Sequence, residues 1–139
     1  MFPVAIHLFL LENENVLLLK RHNTDYEDGN YSVIAGHLNG NENVYYAMIR
    51  EAKEEAGIDI NINDLNIIQV MHRMQSNDER IDYFFVCTKW NGNIINKEPD
   101  KCSELKWYSI QNLPENTIEY IKFAIKNYLQ NVYFTVFGW

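Results

Sequence analysis

The sequence has few cysteines, few basic residues and no long apolar run, and each shortage excludes a class of protein. Two cysteines in 139 residues are too few for a disulfide framework, and their spacing gives no zinc site. Twelve Lys and Arg against nineteen Asp and Glu leave a net charge of −7. This charge argues against broad attraction to nucleic acid or anionic membranes. Apolar runs such as residues 4–11 are too short to cross a bilayer.

The composition that remains is typical of one globular domain. Hydrophobic residues make up 47% and aromatic residues 14% of the chain, enough for a sizeable core. We therefore expect a single domain over residues 1–139. The first residues carry neither a cationic head nor a small-residue cleavage site, so we expect a cytoplasmic location. We expect Cys87 to be packed in a strand and Cys102 to be an unreactive loop thiol.

The hydrophobic pattern predicts strands grouped around two helices. Residues 4–11 and 16–21 are β-rich and flank a polar tetrapeptide, which predicts a hairpin. Further strands are predicted at residues 31–35, 58–62, 67–74, 80–90 and 105–109, with residues 132–139 as an edge strand or a surface tail. A first helix is predicted over residues 44–56, between Asn43 as N-cap and Gly57 as stop. A second is predicted over residues 117–129, with Asn116 or Thr117 as cap. This order predicts an α+β fold with a mixed sheet between helices.

The stretch GHLNGNENVYYAMIREAKEEAGI, residues 36–58, carries the densest group of acids. On the predicted helix, Glu51, Glu54 and Glu55 fall within about 100° on one side. Like charges at these spacings repel unless a cation lies between them, and Mg²⁺ prefers such oxygen ligands. The helix alone therefore leaves two alternatives: a metal-binding face, or a solvated acidic face with Lys53 and Arg50 as counter-charges.

The spacing of the fixed residues in this stretch resembles a complete Nudix box. The matching positions are Gly36, Glu42, Arg50, Glu51, Ala52, Glu54, Glu55, Gly57 and Ile58. The order of strands and the closing helix is similar to MutT-type Nudix hydrolases over nearly the whole chain. The resemblance implies the Nudix fold, an α/β/α sandwich with a central mixed sheet, in a single Nudix hydrolase domain.

The resemblance also implies a reaction and a cofactor. Members of the family cleave a phosphoanhydride bond of a nucleoside diphosphate linked to another group, with Mg²⁺ or Mn²⁺. By position, the metal ligands are Glu51, Glu54, Glu55 and the carbonyl of Gly36. Arg50 would orient these acids, and Glu42 matches a supporting acid that pairs with Arg50 or holds a metal-bound water. The attacking water would lose its proton to Glu54 or to an acid of a later loop.

For that later acid the candidate is Glu98, with Glu104 and Asp100 as rivals, and an exposed loop acid is the alternative interpretation. The substrate phosphates have candidates in Arg21 and Lys20, which close the second predicted strand where relatives place a cation. The alternative for this pair is a solvated surface position.

The residues around the start of the box depart from the commonest pattern, Pro-Gly-Gly followed by an acid. Here the chain reads Ala35-Gly36-His37-Leu38-Asn39. His37 would approach the substrate phosphates or bond to the backbone. Asn39 stands where many relatives have an acid, which leaves the number of bound metals open.

The base of a nucleotide has three candidate contacts, Asn116, Tyr83 and Trp139. Asn116 lies where relatives that cleave 8-oxopurine nucleotides can present an asparagine, and a helix cap explains it equally well. The two aromatic side chains could stack on a base, although most aromatics of a small sheet are needed for the core.

The leading interpretation is a Mg²⁺-dependent pyrophosphohydrolase that converts a nucleoside triphosphate, including oxidised or non-standard forms, into the monophosphate and pyrophosphate. One alternative is a diphosphatase for ADP-ribose, nucleotide sugars or dinucleoside polyphosphates. Removal of pyrophosphate from RNA 5′ ends is disfavoured by the acidic balance. An alternative of another class is a non-catalytic nucleotide-binding sensor. The expected partner is a small nucleotide, with no membrane or nucleic acid, and the expected state is a monomer or homodimer.

Overall fold

The computed structural model describes residues 1–139 and contains eight strands and two helices. The strands are β1 Val4–Glu12, β2 Asn15–Arg21, β3 Tyr31–Ser32, β4 Ile34–His37, β5 Asn66–Gln75, β6 Asp78–Cys87, β7 Cys102–Ser109 and β8 Phe134–Phe137. The helices are α1 Val44–Ala56 and α2 Glu119–Leu129, and a 3-10 helix covers Ile62–Asp64. None of the helices is both long enough and apolar enough to cross a bilayer.

The strands form one mixed sheet in the order β3-β2-β1-β6-β5-β8, with β4 paired to β1 and β7 paired to β2. The β1–β6 and β5–β8 pairs are parallel, and the other pairs are antiparallel. Two buried hydrophobic clusters cover the sheet, one containing residues of α1 and the other residues of α2. The predicted α+β class and the α/β/α sandwich with a central mixed sheet are confirmed.

Helix α1 has the predicted bounds because its two ends are specified locally. The side chain of Asn43 accepts hydrogen bonds from the backbone N–H groups of Tyr45 at 3.0 Å and Tyr46 at 3.1 Å. Gly57 ends the helix in the left-handed conformation, with φ at 71°, and its N–H donates to the carbonyl of Lys53. The face between these caps buries Ala47, Met48, Ala52 and Ala56 against the sheet.

The first predicted hairpin is confirmed, but its turn is tighter than the polar tetrapeptide suggests. Glu12 pairs with Asn15, so only Asn13 and Glu14 form the loop. Both have positive φ, 50° and 66°. This two-residue turn matches the right-handed twist of the flanking strands, and asparagine tolerates such φ values.

Two strand predictions are wrong in detail. The run at residues 31–35 is interrupted at Val33, because β3 pairs with β2 whereas β4 pairs with β1. The run at residues 58–62 makes only an isolated bridge between Asp59 and Asn91 before the 3-10 helix begins. Asn61 caps that 3-10 helix by accepting a hydrogen bond from the N–H of Asn63. Ile58 and Ile60 are buried in the core cluster without joining the sheet, whereas Ile62 is exposed.

The predicted caps of the second helix are also wrong. Helix α2 begins at Glu119, and no side chain caps it. The amide of Asn116 donates instead to the carbonyl of Gly29 at 2.8 Å, and the hydroxyl of Thr117 donates to the carbonyl of Pro114 at 2.8 Å. Thr117 is therefore used by the preceding turn, and Asn116 by a contact to the loop between β2 and β3.

The cysteines and the chain end are partly as predicted. Cys87 ends β6 and is buried, as expected. Cys102 is not a loop residue, because it is the buried first residue of β7. Burial raises the pKa of its thiol, which disfavours the reactive thiolate. Of the two alternatives for the final run, the edge strand is confirmed, since β8 pairs with β5 at the end of the sheet.

Removing the N-cap of α1 provides a test of this local control. We expect Asn43→Ala to lower the free energy of unfolding by about 1 kcal/mol, because two backbone N–H groups lose their acceptor. Urea denaturation monitored by circular dichroism measures this change. Asn93→Ala, at an exposed position, is the control and should change stability by less. Equal effects of the two substitutions would contradict the capping role.

Candidate active site

Gly36 places the backbone of β4 directly against a carboxylate of α1. A Cβ atom at this position would lie 2.3 Å from the carboxylate carbon and from Oε1 of Glu51. Every other residue would therefore have to displace the Glu51 side chain. The glycine is required here by space, because the backbone of β4 and the acid face of α1 are in contact.

Arg50 connects this acid face to the loop between β4 and α1. Its Nε and Nη2 donate to both carboxylate oxygens of Glu42, at 3.1 and 2.7 Å. Its Nη1 donates to Glu51 at 2.8 Å and to Glu54 at 3.3 Å, and Nη2 also donates to the carbonyl of His37 at 3.2 Å. The hydrogen bond from Arg50 holds the pKa of Glu42 below its ordinary value. Of the two roles that the resemblance implied for Glu42, the pairing with Arg50 is present.

Glu55 is partly buried on the acid face, where Glu54 is half-exposed. Burial, followed by a hydrogen bond and charge repulsion from Glu51 and by the charge of Glu98, raises the pKa of Glu55 well above its ordinary value. Glu98 is near because its loop contacts the end of α1. The N–H of Lys97 donates to the carbonyl of Glu55 at 3.1 Å, and the N–H of Ile95 donates to the carbonyl of Ala56 at 2.9 Å.

The acids do not form a preformed metal cage, because no three His, Cys, Asp or Glu side chains are grouped to hold an ion. Glu51 and Glu54 point to the guanidinium of Arg50 instead. The chemistry of the set still fits a hard divalent cation, since it offers only oxygen donors and includes an acid whose ionised form needs stabilisation. Glu51, Glu54, Glu55 and the Gly36 carbonyl are the groups that could hold it.

A cleft with a volume of about 840 Å³ runs along this acid face. Its lining contains seven of the residues predicted from the sequence: Arg21, Gly36, His37, Glu51, Glu54, Glu55 and Glu98. Within it the side chain of Arg21 is held by the loop after β2, since its Nε donates to the carbonyl of Tyr26 at 2.7 Å. His37 is exposed, and only its carbonyl takes part in the Arg50 contacts.

Other predicted residues lie outside the lining of this cleft. The ammonium of Lys20 lies 5.8 Å from the ring centroid of Tyr31. Tyr83 packs against the core cluster on the α1 side, and the amide of Asn116 is bonded to Gly29. The indole of Trp139 donates to the carbonyl of His72 at 3.0 Å. The structure does not bring the three candidate base contacts together.

Of the three candidate loop acids, only Glu98 lines the cleft. The carboxylate of Glu104 accepts hydrogen bonds from the hydroxyls of Tyr31, at 3.0 Å, and Tyr108. The bond from Tyr108 lowers the pKa of Glu104. Asp100 is exposed and lies outside the cleft.

The sequence prediction missed a buried polar network in the wall of the cleft. Arg73, which is 2% exposed, donates from Nε to Asp82 at 2.6 Å and from Nη2 to the same carboxylate at 3.1 Å. The guanidinium carbon of Arg73 also lies 3.6 Å from the ring centroid of Tyr120. In the sequence, Arg73 and Asp82 are visible only as charged residues within two β-like runs. Whether they meet depends on how the two strands pair.

His7 completes this network as a neutral imidazole. Its Nδ1 contacts the carbonyl of Tyr83 at 3.3 Å, and a carbonyl only accepts, so Nδ1 carries the proton. Nε2 is then the acceptor for the hydroxyl of Tyr120 at 3.0 Å. Burial lowers the pKa of His7 to about 4, against the opposing charge of Asp82. Its position inside an apolar run was the only sign in the sequence.

This low pKa predicts an acid-sensitive fold. Between pH 6.5 and about 4 the unfolded chain binds a proton at His7 that the folded chain does not. Stability should therefore fall with pH in this window, by about 3 kcal/mol in total from this group. Urea denaturation at pH 7 and pH 4.5 should show a smaller loss for His7→Gln than for the unsubstituted protein. A loss of the same size in both would exclude His7, and the exposed His22→Gln serves as control.

Comparison with known proteins extends these observations. A model of the NUDIX domain matches residues 1–129. The chain is 28% identical over 114 residues to the NAD-capped RNA hydrolase NudC of Vibrio atlanticus, covering 82% of this chain and 39% of that protein. It is 25% identical over 127 residues to the ADP-ribose pyrophosphatase of Methanocaldococcus jannaschii, covering 91% and 73% respectively.

A similar fold is found in the crystal structure of a MutT NUDIX hydrolase from Burkholderia pseudomallei. The two structures superpose with a TM-score of 0.83 at 21% sequence identity, covering 91% of this chain and 97% of the other. This similarity concerns the fold. The chain spans little more than a third of the first curated relative and about three quarters of the second.

Proposed function

The chain belongs to the NUDIX family, and on that premise we propose that this pyrophosphohydrolase cleaves a nucleoside triphosphate to the monophosphate and pyrophosphate. The observation that supports phosphoanhydride cleavage, in either substrate class considered below, is the Arg50 contact set. It aligns Glu51 and Glu54 along one wall of a cleft of about 840 Å³. Such a volume suits a nucleotide-sized ligand.

We assign the divalent cation, Mg²⁺ or Mn²⁺, to the oxygen ligands of this wall. Its holders would be the carboxylates of Glu51, Glu54 and Glu55 and the carbonyl of Gly36. When bound there, the cation supplies charge neutralisation for phosphate oxygens and a lower pKa for water. The role of Arg50 and Glu42 is to orient, since Arg50 fixes two of the carboxylates and Glu42 fixes Arg50.

The chain's own residues account for proton transfer and phosphate binding. The proton of the attacking water passes to Glu54, which is half-exposed at the cleft, or to Glu98, which lines it. Arg21 and the exposed His37 line the same cleft and are placed to contact substrate phosphates. Lys20 points toward Tyr31 and is the weaker candidate for this contact.

A second substrate class is ADP-ribose or a related nucleoside diphosphate derivative. It is supported by the similarity to the ADP-ribose pyrophosphatase of Methanocaldococcus jannaschii, 25% identical over 127 residues. Both classes present the same phosphoanhydride to the acid face. They differ in the group beyond it, so the acid face does not distinguish them.

A release assay separates the two classes. With Mg²⁺ present, pyrophosphate is measured for nucleoside triphosphates and their 8-oxo forms, and the nucleotide products of ADP-ribose and of dinucleotides are measured by chromatography. We expect pyrophosphate from at least one triphosphate. Turnover confined to ADP-ribose would overturn the triphosphate assignment. Absence of turnover with every compound, together with measurable nucleotide binding, would favour a sensor.

The assigned chemistry also makes a prediction for Glu54. We expect Glu54→Gln to lower kcat by roughly 10²- to 10⁴-fold, because the amide neither binds a hard cation well nor accepts a proton. The fold should be unchanged, since the side chain is 51% exposed. Steady-state kinetics and thermal melting measure the two effects. Glu115→Gln, an exposed acid outside the cleft, is the control, and hydrolysis by Glu54→Gln at the control rate would remove this mechanism.

A further inference from the structure

Two arginines lie side by side in the wall of the cleft that is formed by β5 and β6. Arg73 and Arg80 are directly opposite in the antiparallel register, so their side chains share one face of the sheet. Both line the cleft. Like charges in this arrangement destabilise a sheet unless each has a partner. Asp82 pairs with Arg73, and Asp78 pairs with Arg80.

The two arginines differ in how many of their donors are used. Arg73 donates to Asp82 from two nitrogens and to Gln75 from the third, and it is 2% exposed. Arg80 contacts only Asp78, through Nη2. Its Nε is buried and has no hydrogen-bond partner, the one such side-chain atom in the structure. A buried donor without an acceptor is unfavourable, and the donors of Arg80 outside the Asp78 contact, on a side chain that is 21% exposed, are available to a ligand.

The register also fixes where Arg80 lies relative to the acid face. Gly36 pairs with Ile6, and Ile6 pairs with Tyr83, so two strand spacings separate β4 from β6. Arg80 is three residues from Tyr83 along β6. Spacings of about 4.8 Å across the sheet and about 3.3 Å along it place the Cα atoms of Gly36 and Arg80 roughly 14 Å apart. This separation exceeds the length of a diphosphate, so a ligand group near Arg80 lies beyond the bond that is cleaved.

We propose that Arg80 is a specificity-determining residue, whose guanidinium, 21% exposed and bonded only through Nη2, binds an oxygen acceptor on the part of the substrate remote from the scissile diphosphate. The acceptor is a carbonyl of the nucleobase or an anionic oxygen of a second group. Arg73 lies beside Arg80 and is held in place by its hydrogen bonds to Asp82 and Gln75. This inference rests on the proposed function, because it takes the diphosphate to bind at the acid face.

The test measures binding without turnover, in protein that carries Glu54→Gln. Isothermal titration calorimetry is performed in Mg²⁺ with ATP, 8-oxo-dGTP, ADP-ribose and inorganic tripolyphosphate. We expect Arg80→Met to weaken the nucleotide that binds best by about tenfold or more, as for loss of a hydrogen bond from a charged donor. Its affinity for tripolyphosphate, which lacks the remote group, should not change. The exposed Lys89→Met, which removes the same charge elsewhere, should change neither affinity.

Arg80→Lys identifies the acceptor. Lysine supplies charge without the planar set of donors, so restored affinity indicates an anionic oxygen, and affinity as low as that of Arg80→Met indicates a planar carbonyl group. Thermal melting of each variant checks the fold. Unchanged nucleotide affinity in Arg80→Met, or an equal loss for tripolyphosphate, would overturn the inference but not the proposed function, which the hydrolysis assay tests separately on protein without Glu54→Gln. A parent protein that binds tripolyphosphate and no nucleotide would overturn the inference together with the proposed function.

Discussion

The guanidinium of Arg50 is the contact on which the arrangement of the site depends. It joins the end of β4, through the carbonyl of His37, to the loop acid Glu42 and to two carboxylates of its own helix. The carboxylate of Glu42 is in turn fixed by the N–H of Asn39 at 2.9 Å. One cation thereby determines the course of the loop and the direction of the acids. A lysine could replace its charge but not its planar set of donors.

The sheet topology explains why this acid face adjoins a cleft. Strand β1 pairs with β4 on one side and in parallel with β6 on the other, and β5 follows β6. Residues far apart in the chain therefore line one cavity: Gly36 of β4, Glu51 of α1 and Arg80 of β6. The loop that carries Glu98 joins them because its backbone bonds to the last carbonyls of α1. Helix, sheet and loop each contribute one wall.

The sequence predicted the features that depend on neighbouring residues. Asn43 and Gly57 bound a helix within a short window, and the acids on that helix keep fixed spacings whatever surrounds them. Features that depend on pairing between distant segments were missed. Arg73 and Asp82 meet only because of the β5–β6 register. Residues 58–62 have the composition of a strand, but the sheet offers them no edge beyond one bridge.

The candidate substrate contacts also differ in this respect: some were inferred from their position beside known elements, and others from residue type alone. Arg21 and Glu98 reach the cleft because they lie next to elements whose positions the Nudix resemblance implied. Asn116 and Trp139 were chosen for their chemistry, but their side chains bond to Gly29 and His72 instead. An amide or an indole can satisfy its donors in many places. Residue type alone therefore does not locate a contact to the base.

The charge of the acid face links the cofactor to the substrate class. Glu42, Glu51, Glu54 and Glu55 carry four carboxylates against the one guanidinium of Arg50, and burial, followed by the contact with Glu51 and the charge of Glu98, raises the pKa of Glu55. A polyphosphate approaching this wall would be repelled unless a cation lay between the two sets of oxygens. A domain that only bound nucleotides would gain affinity from Lys or Arg at these positions. Four carboxylates at this wall favour the binding of divalent cations together with the phosphates. The proposed metal dependence and the proposed phosphoanhydride cleavage therefore depend on the same residues.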